Sequence, residues 1–377
     1  MKIVKSIPLF MVVIVLLTSI CSAADSWTVL YRSPGQIQAM SLLTDQRVMI
    51  AEEMRLITVQ KDSNPQAVNF AANERCFVAS DGSCYAVIRY EGGADVVSAA
   101  MVTLFRSDGQ PQWTIGKHLM NDIVPLRNGG AVAAHRNISI KQNFVYFIDS
   151  SGRIVKQIEI AALGQIMASP TGDRILISSG VEGALLFDHQ GVMISKLDEA
   201  YRMAFSDDGR WCALLYGPNV KIYNEGTPVY AGNLGGELPR GVSFNGDNSR
   251  LAAFTDHGLF ILSIPSGKIL MQRQLDTNEQ LSFSSIDIMA DGSLIAAGVE
   301  RDLGSSVKGP ERHPDGEIRL YDPKGTMLHQ QPISYTAWNT TTPRVRFGND
   351  DENLFVLTRD EVLQAAVTDL SGKGGVR

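Results

Sequence analysis

Residues 204–216 read AFSDDGRWCALLY: an apolar run, an Asp-Gly turn, then a second apolar run, the pattern of a β-hairpin. Variants recur as FVASDGSCYAVI from Phe77, ASPTGDRILISS from Ala168, SFNGDNSRLAAF from Ser243, DIMADGSLIAAG from Asp287 and RFGNDDENLFVL from Arg346. Between them lies a second hairpin, seen as VTLFRSDGQPQWTI from Val102, VYFIDSSGRIVKQIEI from Val145, ALLFDHQGVMISKL from Ala184 and IRLYDPKGTMLHQQPI from Ile318. Two hairpins make a four-stranded unit, and units repeated along a chain bury their faces against each other rather than in one central core.

The units fall near residues 37–70, 74–120, 121–163, 164–202, 203–237, 238–279 and 280–339. An eighth, from Arg344 to about Leu370, supplies only three strands: RVRFG, NLFVLT and EVLQAAV. The missing strand stands at the other end of the chain, where WTVLYR at 27–32 precedes the first unit with no partner of its own. Pairing the two ends closes a ring and removes the free sheet edges of an open array. The sequence therefore predicts an all-β chain: a β-propeller of eight four-stranded blades closed by the N-terminal strand, or seven blades if 225–237 merges with a neighbour. Small apolar segments such as AVAAH, LAAF and IAAG are expected nearest the central channel.

No Pro-, Ser- or charge-rich linker divides the chain, so residues 25–377 are expected to form one domain. Residues 1–24 have the form of an export signal: Lys2 and Lys5, an apolar stretch from Ile7 to Ile20, then Ser22, Ala23 and Ala24. That stretch is shorter than the roughly 20 apolar residues that span a bilayer. Cleavage near Asp25, leaving no membrane-spanning segment, is favoured over a retained anchor, and Ile20 is too large for a lipid-modified Cys21. The expected location is periplasmic or secreted. A net charge of -6, with both signs interspersed, offers no basic stripe and argues against nucleic acid as a partner.

The first-hairpin segments FSDDGRWCALL and FNGDNSRLAAF resemble those of bacterial exported propellers of the tryptophan-aspartate-repeat type. LFDHQG, LYDPKG and SDGQPQW resemble the second half of quinoprotein-type repeats, with Trp113 where those repeats place a docking tryptophan. The Gly-His and Trp-Asp signatures of the eukaryotic repeat are missing. The resemblance spans about residues 27–370 and implies the propeller fold, which hosts enzymes, receptors and scaffolds alike.

Long connections carry the functional expectation. Residues 89–99 (RYEGGADVVSA), 135–143 (HRNISIKQN) and 300–317 (ERDLGSSVKGPERHPDGE) all join the first hairpin of a unit to its second, and the link 334–343 (SYTAWNTTTP) opens on the same rim. The candidate binding face thus comprises Arg89, Tyr90, Glu91, His135, Arg136, Glu300, Arg301, Asp302, Arg312, His313 and Trp338, opposite a rim of Asp-Gly turns. The six His residues are scattered with no close pair, so no metal ligand set is named. No Gly-x-Ser-x-Gly elbow supports a Ser-His-Asp triad, and no catalytic residue or cofactor is assigned. The expected function is non-enzymatic binding of a protein or other partner through the long-loop face. The alternative is a propeller enzyme of lactonase or quinoprotein dehydrogenase type, with a metal or cofactor at the channel mouth, where Glu91, Glu300, Asp302 and Asn339 are the available oxygen donors. Beyond Cys21 the chain has Cys76, Cys84 and Cys212. A three-residue turn at 80–82 would put Cys76 diagonal to Cys84 on one sheet face, and leaves their bonding open.

Overall fold

A computed structural model describes residues 27–371 apart from 36, 44–46, 92–99, 138–141, 181, 277–280, 302–311, 337–342 and 359. Its strands form eight separate four-stranded antiparallel sheets, the blades of a propeller. Blades 1 to 7 each use four consecutive strands; blade 8 takes three from the end of the chain and its outermost from Thr28–Arg32. The only helix among the described residues is the single turn Val367–Leu370. The segment 225–237 contributes Thr227–Asn233 as the outer strand of blade 5, so the seven-bladed alternative falls.

The first strand of each blade is innermost. These are Ile37–Leu42, Glu74–Val78, Asp122–Pro125, Leu163–Ala168, Arg202–Phe205, Gly241–Phe244, Leu281–Ile288 and Arg344–Phe347. From blade 2 to blade 8 each touches the inner strand of the next. The expectation that AVAAH, LAAF and IAAG line the channel is overturned: they belong to second strands, Ala131–Asn137, Arg250–Phe254 and Ile295–Arg301. Sheets cover a second strand on both faces, which selects small, continuous apolar runs. An inner strand is half wet, and Arg344–Phe347 alternates exposed and buried accordingly.

Eight buried clusters stand where a globular chain has one core, each at a seam between neighbouring blades. The seam that closes the ring joins Ile37, Val48, Ile50 and Ile57 of blade 1 to Phe355, Leu357 and Val362 of blade 8, with Leu30 and Tyr31 of the closing strand packed on it. Polar bonds reinforce that seam: Tyr31 Oη donates to Glu52 at 2.7 Å and Asn349 Nδ2 donates to the Leu43 carbonyl at 3.0 Å, while within blade 8 Arg32 of the closing strand meets Glu361 at 2.6 Å.

Trp113 performs the docking implied by its resemblance to quinoprotein repeats. Its Nε1 donates to the Gly129 carbonyl of blade 3 at 2.8 Å, and its ring lies on Gly152 in the next turn of that blade. A Cβ at Gly152 would sit 2.9 Å from the indole, and its φ of +82° already disfavours a side chain.

The diagonal pairing of Cys76 with Cys84 is also overturned. Ala79 N–H bonds the Cys84 carbonyl at 3.0 Å, so four residues, not three, make the turn. The extra residue moves Cys84 to the opposite sheet face. Cys76 then lies opposite Val87 and faces blade 1, whereas Cys84 faces blade 3, and both are free thiols.

Candidate binding cleft at the channel mouth

Strand direction alternates within a blade, so the first-to-second and third-to-fourth turns crowd one end of the ring. The Asp-Gly turns occupy this turn face. The second-to-third connections and the links between blades leave from the other, loop face. Tyr90 and Ala100, Asn137 and Gln142, and Arg301 and Arg312 are the strand ends that flank three of the long connections on that face.

At the loop-face mouth of the channel, blades 5 to 8 enclose a cleft of about 490 Å³. Arg202, Arg240 and Arg344, at the start of or just before three inner strands, line it together with Asp256, Glu300, Tyr201, Leu238 and Pro239. Arg240 Nη1 bonds Asp256 Oδ1 at 2.7 Å and stands 3.7 Å from Glu300 Oε1. Arg202 is exposed and donates one N–H to the Tyr201 carbonyl at 3.0 Å. Tyr201 is itself fixed by donating its hydroxyl to the Gly217 carbonyl at 2.8 Å. Beside these charges Leu238 is 59% exposed.

The rim of blade 6 is braced by Glu237, which accepts from Thr255 Oγ1 at 2.5 Å and from the His257 N–H at 3.2 Å, with His257 Nδ1 at 3.0 Å. Burial alone would raise the Glu237 pKa. The Thr255 and His257 bonds outweigh it and hold the carboxyl below its usual range.

Of the sequence-predicted residues, Glu300 lines the cleft, while Glu91 and Arg301 are exposed at strand ends on the same face. Arg89 is held by Glu74, with both contacts at 2.6 Å. Arg136 is a brace between blades 3 and 4, donating to the Leu163 and Gly164 carbonyls at 2.9 and 2.6 Å and to Asp122 at 3.1 Å. Tyr90 and His135 are not contact residues in this structure: they are 6% and 5% exposed, and lie in strands facing the seam between blades 2 and 3. Among the described residues the Tyr90 hydroxyl and His135 Nδ1 have no hydrogen-bond partner, and burial pushes the His135 pKa down. The Arg75 guanidinium lies 5.6 Å from the centre of the Tyr90 ring. Asp302 and Trp338 lie outside the described residues, as do the side chains of Arg312 and His313.

Sequence reading missed the arginines, yet a signal exists. In YRMAF, PRGVSF and PRVRF an arginine stands three or four residues before the Phe that leads into the turn. Inner strands aligned around one axis bring such phased residues together.

A second cavity, about 520 Å³, opens at the turn face. Asp287, Ser243 and Arg346 lie among its polar lining and Met167, Phe205 and Val242 among its apolar wall. Asp287 borders the cavity deep in the ring; Ser243 Oγ bonds its Oδ1 at 2.9 Å and Phe347 N–H its Oδ2 at 2.8 Å. Loss of bulk water drives its pKa up against the opposing pull of Arg346 and these bonds. Among the described residues no three His, Cys, Asp or Glu side chains are grouped to hold a metal ion.

The fold places the chain in the class of β-propellers. No family model matches it, and no curated protein matches it. Among solved structures it is similar to the C-terminal WD40 domain of Sif2, with 12% identity, a TM-score of 0.60, and coverage of 90% of this chain and 98% of that one. It is also similar to the dihydro-heme d1 dehydrogenase NirN in complex with DHE, with 14% identity, a TM-score of 0.55, and coverage of 80% of this chain and 67% of that one. At such identities the likeness is one of fold.

Proposed function

We propose that this chain is an exported, non-enzymatic β-propeller, periplasmic or secreted, that binds a protein partner on its loop face. The observation that carries the reading is the charged cleft at that mouth of the channel, on the rim from which the long connections leave. The Arg240–Asp256 pair, two further arginines and the exposed Leu238 around one mouth suit orientation-specific recognition, with the polar rim setting partner choice. Similarity to a WD40 domain fits protein binding.

The test is to shorten 92–99 and 302–311 to tight Gly-containing turns and compare the proteins captured from an envelope fraction. Loop length enters folding free energy only logarithmically, at about 0.6 kcal/mol per doubling, so the melting temperature should hold. Loss of the captured set is the expected result; an unchanged set overturns the face assignment. Export is tested separately by sequencing the N-terminus of the mature protein, and a start at Met1 rather than near Asp25 overturns it.

A further inference from the structure

We infer that the loop-face cleft seats a carboxylate from the partner, on an acidic side chain adjoining a large apolar one: the carboxylate against Arg202, the apolar group against Leu238. The inference rests on the reading that this face binds a protein. It starts from a charge contrast. The chain carries a net -6, but the cleft gathers three arginines against two carboxylates, Asp256 and Glu300. Among the described residues that line the cleft, this is an excess of one positive charge, which suits a monoanion. A dianion such as phosphate gains attraction only in proportion to its charge, whereas its desolvation cost rises with the square of that charge, so a single excess positive charge favours the monoanion.

The arginines are not equivalent. Arg240 is committed to Asp256, whereas Arg202 gives one N–H to a neighbouring carbonyl and has no carboxylate partner among the described residues. A guanidinium has five N–H donors in a planar fork, so Arg202 retains the paired donors that a carboxylate takes two at a time. Leu238, 59% exposed beside Pro239, lines the same cleft and supplies an aliphatic surface there. Arginine is among the residues enriched at interface hot spots, and apolar neighbours there serve mainly to exclude water from its bonds.

The experiment uses the full mature chain and three fluorescein-labelled heptapeptides that differ only in their central pair: Asp-Leu, Asn-Leu and Lys-Leu. Anisotropy should show the Asp-Leu peptide binding roughly tenfold or more tighter than Asn-Leu, with Lys-Leu weakest. R202A should remove the Asp over Asn preference, R202K should restore it only in part because an ammonium lacks the fork, and L238S should weaken the Asp and Asn peptides alike. Thermal melts of each variant establish that it is folded. Equal affinity for the Asp and Asn peptides, or a preference that survives R202A, overturns the inference. Displacement of the acidic peptide by sulfate, at an ionic strength where chloride is inert, also overturns the carboxylate assignment. Envelope capture that persists in R202A but fails in the loop-shortened variants overturns this inference while leaving the face assignment standing.

Discussion

The main-chain N–H of Phe347 in blade 8 donates to Asp287 Oδ2 in blade 7 at 2.8 Å, and Ser243 of blade 6 holds the other oxygen at 2.9 Å. One carboxyl group therefore braces three consecutive blades beside the channel. Its pKa is raised, first by burial, so the folded state binds its proton more tightly than the unfolded chain does. Stability from this group is fully present below the ordinary carboxylate pKa and is lost as pH rises through the raised folded value. Asp287→Asn copies the protonated form: its oxygen takes the Phe347 N–H and its amide donates to Ser243. The melting temperature of D287N minus that of wild type should rise from acidic to neutral pH. Parallel melting curves across that range would exclude Asp287 as the titrating group.

Trp113 joins blades 2 and 3 by an indole bond and by packing on Gly152. Trp113→Ala should cost about 3–5 kcal/mol by opening a cavity at the seam. Trp113→Phe keeps most of the packing and should cost about 1 kcal/mol for the lost hydrogen bond. Chemical denaturation distinguishes the two, and equal losses would mean that the bond contributes nothing beyond the ring.

Cys76, Cys84 and Cys212 are free, and burial pushes each thiol up to about 12. The folded protein should react with a thiol reagent at pH 8 only as fast as it unfolds, and a reductant should leave its melting temperature unchanged. A chain two mass units lighter before reduction than after would contradict the register at Ala79 and Cys84.

That register shows where sequence reading stopped. Hairpin repeats located all eight blades, the closing strand and the rim of long connections, because apolar periodicity and Asp-Gly turns are local signals. The four-residue turn before Cys84 sets Gly82 beside Leu43 of blade 1 and Cys84 Sγ on the Leu126 carbonyl of blade 3, contacts with neighbouring blades that no local pattern encodes. Tyr90 and His135 looked like loop residues because they adjoin polar connections, yet each still faces a seam. The cleft was harder, since Arg202 and Arg344 are far apart in sequence and meet only when blades 5 and 8 lie around one axis.

The closing strand gives a fourth prediction. Deleting residues 26–32 strips Tyr31 and Leu30 from the seam between blades 8 and 1 and Trp27 from the seam between blades 7 and 8, and removes the Arg32 bridge to Glu361. Half-buried side chains of this size contribute roughly 1 kcal/mol or more each, so the loss should reach about 3 kcal/mol. A melting temperature within a degree of wild type would show that blade 8 stands without its outer strand.

Thr28 pairs with Gln364, and Arg32 with Glu361. In a chain made from its N-terminus, the strand that is synthesised first is thus placed last: it has no docking site until residues 353–366 exist. Seven blades can assemble progressively behind the ribosome or a translocation pore, but the circle is sealed in one late event that needs both ends on the same side of any barrier. Truncation near the C-terminus therefore costs more than its own residues, because it also strands a segment more than three hundred positions away.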